Sequence, residues 1–176
     1  MTTPLLNEQA KALIQEVPDF PKPGILFKDI TPIFTDPKVC QNITIHIAER
    51  FLDIDAIAGI ESRGFFWGIG VAQLLNVPFI PIRKAGKLPR KTLSQSYELE
   101  YGSATLEIHE DAIRPDWNVL IHDDLLATGG TAEAAAKLIN QSGKTVGFSF
   151  IVELEFLKGR ERLEQYARDI DAVVTY

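Results

Sequence analysis

Val119-Leu120-Ile121-His122-Asp123-Asp124-Leu125-Leu126-Ala127-Thr128-Gly129-Gly130-Thr131 is an apolar run that ends in two acids and a turn of small residues. The run predicts a buried strand over Val119 to Ile121, and the Ala-rich stretch Thr131 to Asn140 predicts a helix after the turn. Gly129 and Gly130 let the backbone come close to a ligand, and the hydroxyls of Thr128 and Thr131 join the unpaired amides of the helix start. The turn from Ala127 to Thr131 therefore fits a phosphate. No Lys follows the second glycine, so it is not a P-loop. Asp123 and Asp124 accept hydrogen bonds well, and acids for sugar hydroxyls beside amides for a phosphate suit a sugar phosphate. The plainer alternative is an acidic cap beside a glycine turn.

Upstream, Val39, Ile43, Ile47 and Phe51 recur every fourth residue and predict a helix. Ala56 to Ile60, Phe65 to Leu75 and Val77 to Ile82 read as strand, helix and strand, with the loop Glu61-Ser62-Arg63-Gly64 after the first strand. Thr92 to Ile108 alternates as a hairpin turning near Gly102-Ser103. Downstream, Thr145 to Leu154, Gly159 to Tyr166 and Ile170 to Val174 read as strand, helix and strand. Leu5 to Val17 predicts a helix ended by Pro18, and the proline-rich 18–37 predicts irregular chain. Strands alternating with helices imply a mainly parallel α/β sheet, whose ligands bind beyond the carboxyl ends of the strands.

The chain has 176 residues, 45% of them hydrophobic and 24% charged. A single domain of about this length buries roughly 70% of its unfolded surface without disulfides or a structural metal. Cys40 is the one cysteine, which excludes an internal disulfide and a Cys-built cluster and suits a reducing compartment. Eighteen Lys and Arg against 24 Asp and Glu leave a formal net charge of −6, so no general binding to nucleic acid or membrane surfaces is expected. Met1 to Val17 carries no leader pattern and no apolar run nears the roughly 20 residues of a span, so a soluble, cytoplasmic protein is expected. Against this acidic background, Arg83, Lys84, Lys87, Arg90 and Lys91 crowd one acid-free loop. A polyphosphate ligand explains the cluster better than a solvated loop, or than a nucleic-acid patch without aromatics. His46, His109 and His122 share no ligand-type spacing, so no protein metal cage is expected.

The acidic pair and its Thr-Gly-Gly-Thr turn resemble the phosphoribosyl-pyrophosphate-binding signature of the type I phosphoribosyltransferases. Three further segments resemble the adenine-specific members of that family: Pro18 to Pro32 with Gly24-Ile25-Leu26-Phe27-Lys28-Asp29 at its centre, Glu61-Ser62-Arg63-Gly64-Phe65, and Arg83-Lys84-Ala85-Gly86-Lys87-Leu88-Pro89 followed by Tyr97-Glu98-Leu99-Glu100-Tyr101-Gly102. Val152-Glu153-Leu154 and Leu157-Lys158-Gly159-Arg160 match as well. The resemblance implies a mainly parallel twisted sheet flanked by helices over 1–176. It also implies an N-terminal hood over 1–35 that covers the base, and a flexible catalytic loop and hairpin over 83–108. The implied reaction is magnesium-dependent transfer of phosphoribose from phosphoribosyl pyrophosphate to adenine, giving AMP and pyrophosphate, in a homodimer.

By the same resemblance Asp123, Asp124, Ala127, Thr128, Gly129, Gly130 and Thr131 hold ribose 5-phosphate. Ser62 and Arg63 hold pyrophosphate, joined by Arg83, Lys84 and Lys87 from the neighbouring subunit, and a cis peptide joins Glu61 to Ser62. Leu26, Phe27 and Lys28 line adenine with their backbone while Leu154 packs on its ring. Glu100, with Tyr101 beside it, handles the adenine proton. Arg63 and Glu100 are the catalytic residues, and magnesium is held mainly by substrate oxygens and water. Without the family, Arg63 also reads as a solvated turn residue and Glu100 as a surface Glu no better placed than Glu98. Two other readings are the same chemistry on a 6-oxopurine and a non-catalytic phosphoribosyl-pyrophosphate-binding regulator. The regulator reading lacks an appended helix-turn-helix segment.

Overall fold

The computed structural model describes residues 3–98 and 102–176. Helix α1 (Thr3–Leu13) leads into a separate two-stranded antiparallel ribbon, β1 (Gln15–Pro18) and β2 (Leu26–Asp29). The first helix stops at Leu13 rather than Val17, and 18–37 is not irregular: it holds β2 and a 3₁₀ turn, Thr31–Thr35. Pro18 lies at the end of β1 opposite Leu26, in a ribbon that carries no interior strand, so its missing amide breaks no ladder inside a sheet. The rings of Phe20 and Phe27 meet edge-on at 5.1 Å and close the ribbon's turn.

Asp36 caps α2 (Pro37–Arg50), its carboxylate accepting from the amides of Lys38 and Val39. The chain then runs β3 (Ala56–Ile60), α3 (Gly64–Leu75), β4 (Phe79–Lys84), β5 (Thr92–Glu98), β6 (Ser103–His109), β7 (Asn118–Leu126), α4 (Gly130–Ile139), β8 (Lys144–Glu153), α5 (Gly159–Leu163) and β9 (Asp169–Thr175). These seven strands form one sheet in the order β5-β6-β4-β3-β7-β8-β9. The run from β4 to β9 is parallel, and the β5–β6 hairpin joins it antiparallel at β4.

The pleat sends alternate residues to two cores. Ala58, Val119, Ile121 and Phe148 pack on the α4 side, whereas Ile57, Leu120 and Ile151 pack with α1, α2 and α3. Both faces are thus covered, as a parallel sheet requires. Strand β7 continues to Leu126 instead of stopping at Ile121, so Asp123 and Asp124 belong to the strand and are backed by β8, with Asp123 opposite Phe150. Helix α5 ends at Leu163 rather than Tyr166, and β4 extends to Lys84. Among the described residues no helix is long and apolar enough to cross a membrane. The carboxyl ends of β3, β4 and β7 lie side by side at the centre of the sheet.

Candidate active site

Beyond β7, Ala127, Thr128 and Gly129 turn the chain into α4. Gly129 adopts a φ of 77°, which a side chain disfavours, and a Cβ there would stand 2.8 Å from the Gly159 carbonyl oxygen. Gly130 opens α4 and Thr131 follows. With Asp123, Asp124 and Arg63 this turn lines a cavity of about 190 Å³. Asp124 is buried and Asp123 half-buried, and the Asp123 carboxylate accepts from the Asp124 amide at 2.8 Å. Burial pushes the Asp123 carboxyl well above the usual carboxylate range, and the neighbouring Asp124 charge adds to the effect. Burial raises Asp124 as well, against the opposing Arg63 guanidinium. Beyond the Asp124 amide and Arg63, the two crowded carboxylates keep accepting capacity that calls for further donors and positive charge. A hydroxyl-bearing ligand or a cation supplies both.

Arg63 ends the loop after β3, and its Nε lies 2.8 Å from Asp124 Oδ2. Its guanidinium is also 5.7 Å from the centre of the Phe27 ring, so the loop touches both the acidic pair and the ribbon. The Glu61–Ser62 peptide is cis. Glu61 accepts from Arg83 through Nε at 3.2 Å and Nη2 at 3.0 Å, and from the Lys84 amide at 3.0 Å. These donors, Arg83 foremost, hold the Glu61 carboxyl below its usual range. Arg83 also donates to the Lys87 carbonyl at 3.2 Å, so it is engaged within its own chain. Lys84 is exposed, and with Ser62, Arg63, Tyr97, Asp123, Asp124 and Thr131 it lines a cavity of about 500 Å³. Lys87 is exposed.

At the ribbon, β2 pairs among the described residues on one edge only, so half of its backbone groups remain open to a ligand. Leu26 is exposed and Phe27 half-buried. The Lys28 side chain pairs with Glu16 and sits 3.7 Å from the centre of the Tyr176 ring. Leu154 follows β8, and its amide donates to the Leu126 carbonyl at 2.9 Å. Glu100 and Tyr101 lie outside the described residues.

Sequence reasoning missed three groups. Glu61 was read only as part of a motif, although an acid next to Ser62-Arg63 and a basic loop is a usable signal. Tyr97 receives a hydrogen bond from the Thr131 hydroxyl at 3.4 Å, which no local pattern announces. At the end of β8 the buried Glu153 pairs with the partly exposed Arg160. Of the histidines, His122 is fully buried and its pKa is pushed down to about 4, while His46 pairs with Asp171 at 2.9 Å. Among the described residues no group of three or more His, Cys, Asp or Glu is placed to hold a metal ion.

The phosphoribosyl transferase domain family matches residues 30–174. An adenine phosphoribosyltransferase of Cytophaga hutchinsonii is 47% identical over 175 residues, which cover 98% of this chain and 97% of that protein. The crystal structure of adenine phosphoribosyltransferase from Thermoanaerobacter pseudethanolicus superposes with a TM-score of 0.91 at 47% identity, covering 96% of this chain and 99% of that one. The Saccharomyces cerevisiae adenine phosphoribosyltransferase, solved with an imino-altritol bisphosphate and adenine, gives a TM-score of 0.90 at 41% identity, covering 97% and 99%.

Proposed function

The chain belongs to the adenine phosphoribosyltransferases, within the phosphoribosyl transferase domain family, and from that premise we propose that it serves purine salvage by transferring the 5-phosphoribosyl group from phosphoribosyl pyrophosphate to adenine, releasing AMP and pyrophosphate. The observation that carries the reading is the junction at Arg63, where one guanidinium reaches both Asp124 beside the phosphate cradle and Phe27 on the ribbon. Sugar phosphate, leaving group and base thereby share one cleft.

The amides of the turn from Ala127 to Thr131, with the Thr128 and Thr131 hydroxyls, hold the 5′-phosphate, and Asp123 and Asp124 accept from the ribose hydroxyls. The bond at C1′ breaks ahead of bonding to adenine, leaving positive charge on the sugar and negative charge on the departing pyrophosphate. Arg63, Ser62 and Lys84 stabilise that leaving group, and Lys87 completes the basic rim. Arg83 joins them, its guanidinium and the Lys84 amide both held by the Glu61 carboxylate. Glu100 takes the adenine ring proton, with Tyr101 next to it in sequence. The crowded carboxylates fit a hard cation that keeps most of its water, so Asp123 and Asp124 would hold the magnesium–substrate complex through hydroxyls and water. When bound, magnesium neutralises pyrophosphate charge.

Backbone groups of β2 read the base: the Lys28 carbonyl accepts from the 6-amino group, and an amide at Leu26 donates to the adjacent ring nitrogen, with Leu154 against the ring. Residues 1–35 cover this base, residues 83–108 close over the reacting atoms, and the enzyme works as a homodimer. Support for the dimer comes from α3, whose outer face keeps Phe66 and Ile69 more than 40% exposed, with Phe34 edge-on to Phe66 at 4.9 Å.

The deciding experiment supplies magnesium, phosphoribosyl pyrophosphate and one base at a time and measures pyrophosphate release. A 6-oxopurine reverses both backbone partners, and each buried mismatch costs roughly 1–3 kcal/mol, so adenine is preferred by about 30-fold or more in kcat/KM. A preference under about tenfold removes backbone reading, and release with guanine alone overturns the assignment.

A further inference from the structure

Val152-Glu153-Leu154 and Leu157-Lys158-Gly159-Arg160 supply only Leu154 to the reaction above, yet Glu153 and Arg160 pair next to Gly159, which lies against the phosphate cradle. Glu153 ends β8 at 2% exposure, between Leu126 of β7 and Thr175 of β9. Arg160, in the first turn of α5, spans the Glu153 carboxylate with two nitrogens, Nε to Oε1 at 3.0 Å and Nη2 to Oε2. Its Nη1 donates to the Ile170 carbonyl at 2.7 Å. One guanidinium thus ties α5 to two strands, using a fork that Lys cannot reproduce.

Gly159, the residue before Arg160, is where α5 touches the cradle. A Cβ on Gly159 would stand 2.2 Å from the Ala127 carbonyl oxygen and 3.1 Å from the Gly129 amide nitrogen. A Cβ on Gly129 would in turn stand 2.8 Å from the Gly159 carbonyl oxygen. Two backbones lie against each other with no room for a side chain.

We infer that Glu153 and Arg160 are positioning residues for the phosphate cradle: their ion pair sets the seat of Gly159, and Gly159 sets the turn from Ala127 to Gly129 that faces the 5′-phosphate. The inference rests on the proposed reaction and adds to it a source of phosphate affinity that no residue touching the ligand supplies. On the base side, Leu154 is held by its own amide to the Leu126 carbonyl of β7, a bond in which the Arg160 guanidinium takes no part.

The test measures the dissociation constant of ribose 5-phosphate by calorimetry, which needs no turnover, for the wild type, Arg160→Lys and Gly159→Ala. Val39→Ala serves as a destabilised control, since Val39 is buried in α2 on the opposite face of the sheet. Arg160→Lys and Gly159→Ala should each weaken ribose 5-phosphate by about tenfold or more, because small displacements of a binding group are costly. The KM for adenine at saturating phosphoribosyl pyrophosphate should stay within about twofold, and Val39→Ala should move neither constant. Should Gly159→Ala not fold, Arg160→Lys decides alone. Unchanged ribose 5-phosphate binding in Arg160→Lys, or an equal loss in Val39→Ala, overturns the positioning role. A wild type that binds ribose 5-phosphate but releases no pyrophosphate with adenine overturns the reaction instead, and the binding constants still decide the positioning role.

Discussion

At the cradle, Gly129 and Gly159 meet backbone to backbone and the flanking Leu126 and Val152 are at most 1% exposed, whereas at the ribbon Phe20 and Leu26 keep 50% and 47% of their surface in solvent. The cradle is continuous with the central strands β7 and β8, but β2 has a single strand partner and is tied down by the Lys28 pair with Glu16 and the Tyr176 ring. On the proposed reaction the contrast follows the ligands. A phosphate is the same small tetrahedral anion in every turnover, so fixed amides recognise it without rearrangement. A flat base has to enter and leave, and an edge strand offers it open hydrogen-bonding groups.

If each region serves its own part of the substrate, substitutions should separate them. The largest effect belongs to neither: Glu100→Gln should lower kcat by about 100-fold or more, the typical worth of general acid–base help, with adenine and ribose 5-phosphate binding unchanged by calorimetry. A variant within about threefold of wild type removes Glu100 from the proton transfer. On the cradle side, Asp124→Asn loses charge-assisted hydrogen bonds and releases Arg63. A cost of about 2–4 kcal/mol predicts a drop in kcat/KM for phosphoribosyl pyrophosphate of roughly 30-fold to 10³-fold. The KM for adenine should hold, and an equal rise in it would merge the two regions.

Asp123→Asn should weaken phosphoribosyl pyrophosphate by about tenfold while raising the melting temperature, a combination a purely structural acid cannot give. The sign follows from burial. The folded-state pKa of Asp123 lies above its unfolded value of about 3.9, so folding disfavours the ionised form, and stability falls as the pH rises from that value through the folded pKa. The variant should therefore melt higher than wild type at about pH 8, with the gap closing toward about pH 4. A lower melting temperature at both values counts against a strained carboxylate. The smallest effect falls on the ribbon: Phe27→Leu removes a ring beside Arg63, a contact worth about 0.5–1 kcal/mol, so the KM for adenine should rise roughly two- to fivefold with ribose 5-phosphate binding unchanged. Weaker ribose 5-phosphate binding in that variant shows that Arg63 couples the regions.

Apolar periodicity and glycine chemistry are local properties of adjacent residues, and from them alone the alternating strands and helices, the glycine turn and the acidic pair are legible. The same local reading failed at the prolines. It took 18–37 as irregular, since a proline's neighbours do not reveal that Pro18 ends a strand whose ribbon stands outside the sheet. It also reads the basic loop as one cluster facing a polyphosphate, and names no partner within the chain for its arginines. Only the tertiary structure decided that Arg83 belongs to Glu61 and Arg63 to Asp124, and that Gly159 lies under Gly129 with Arg160 on Glu153. Each of these contacts depends on strand order, with β3 between β4 and β7 and β8 between β7 and β9, and no periodicity along the chain encodes which strand ends become neighbours.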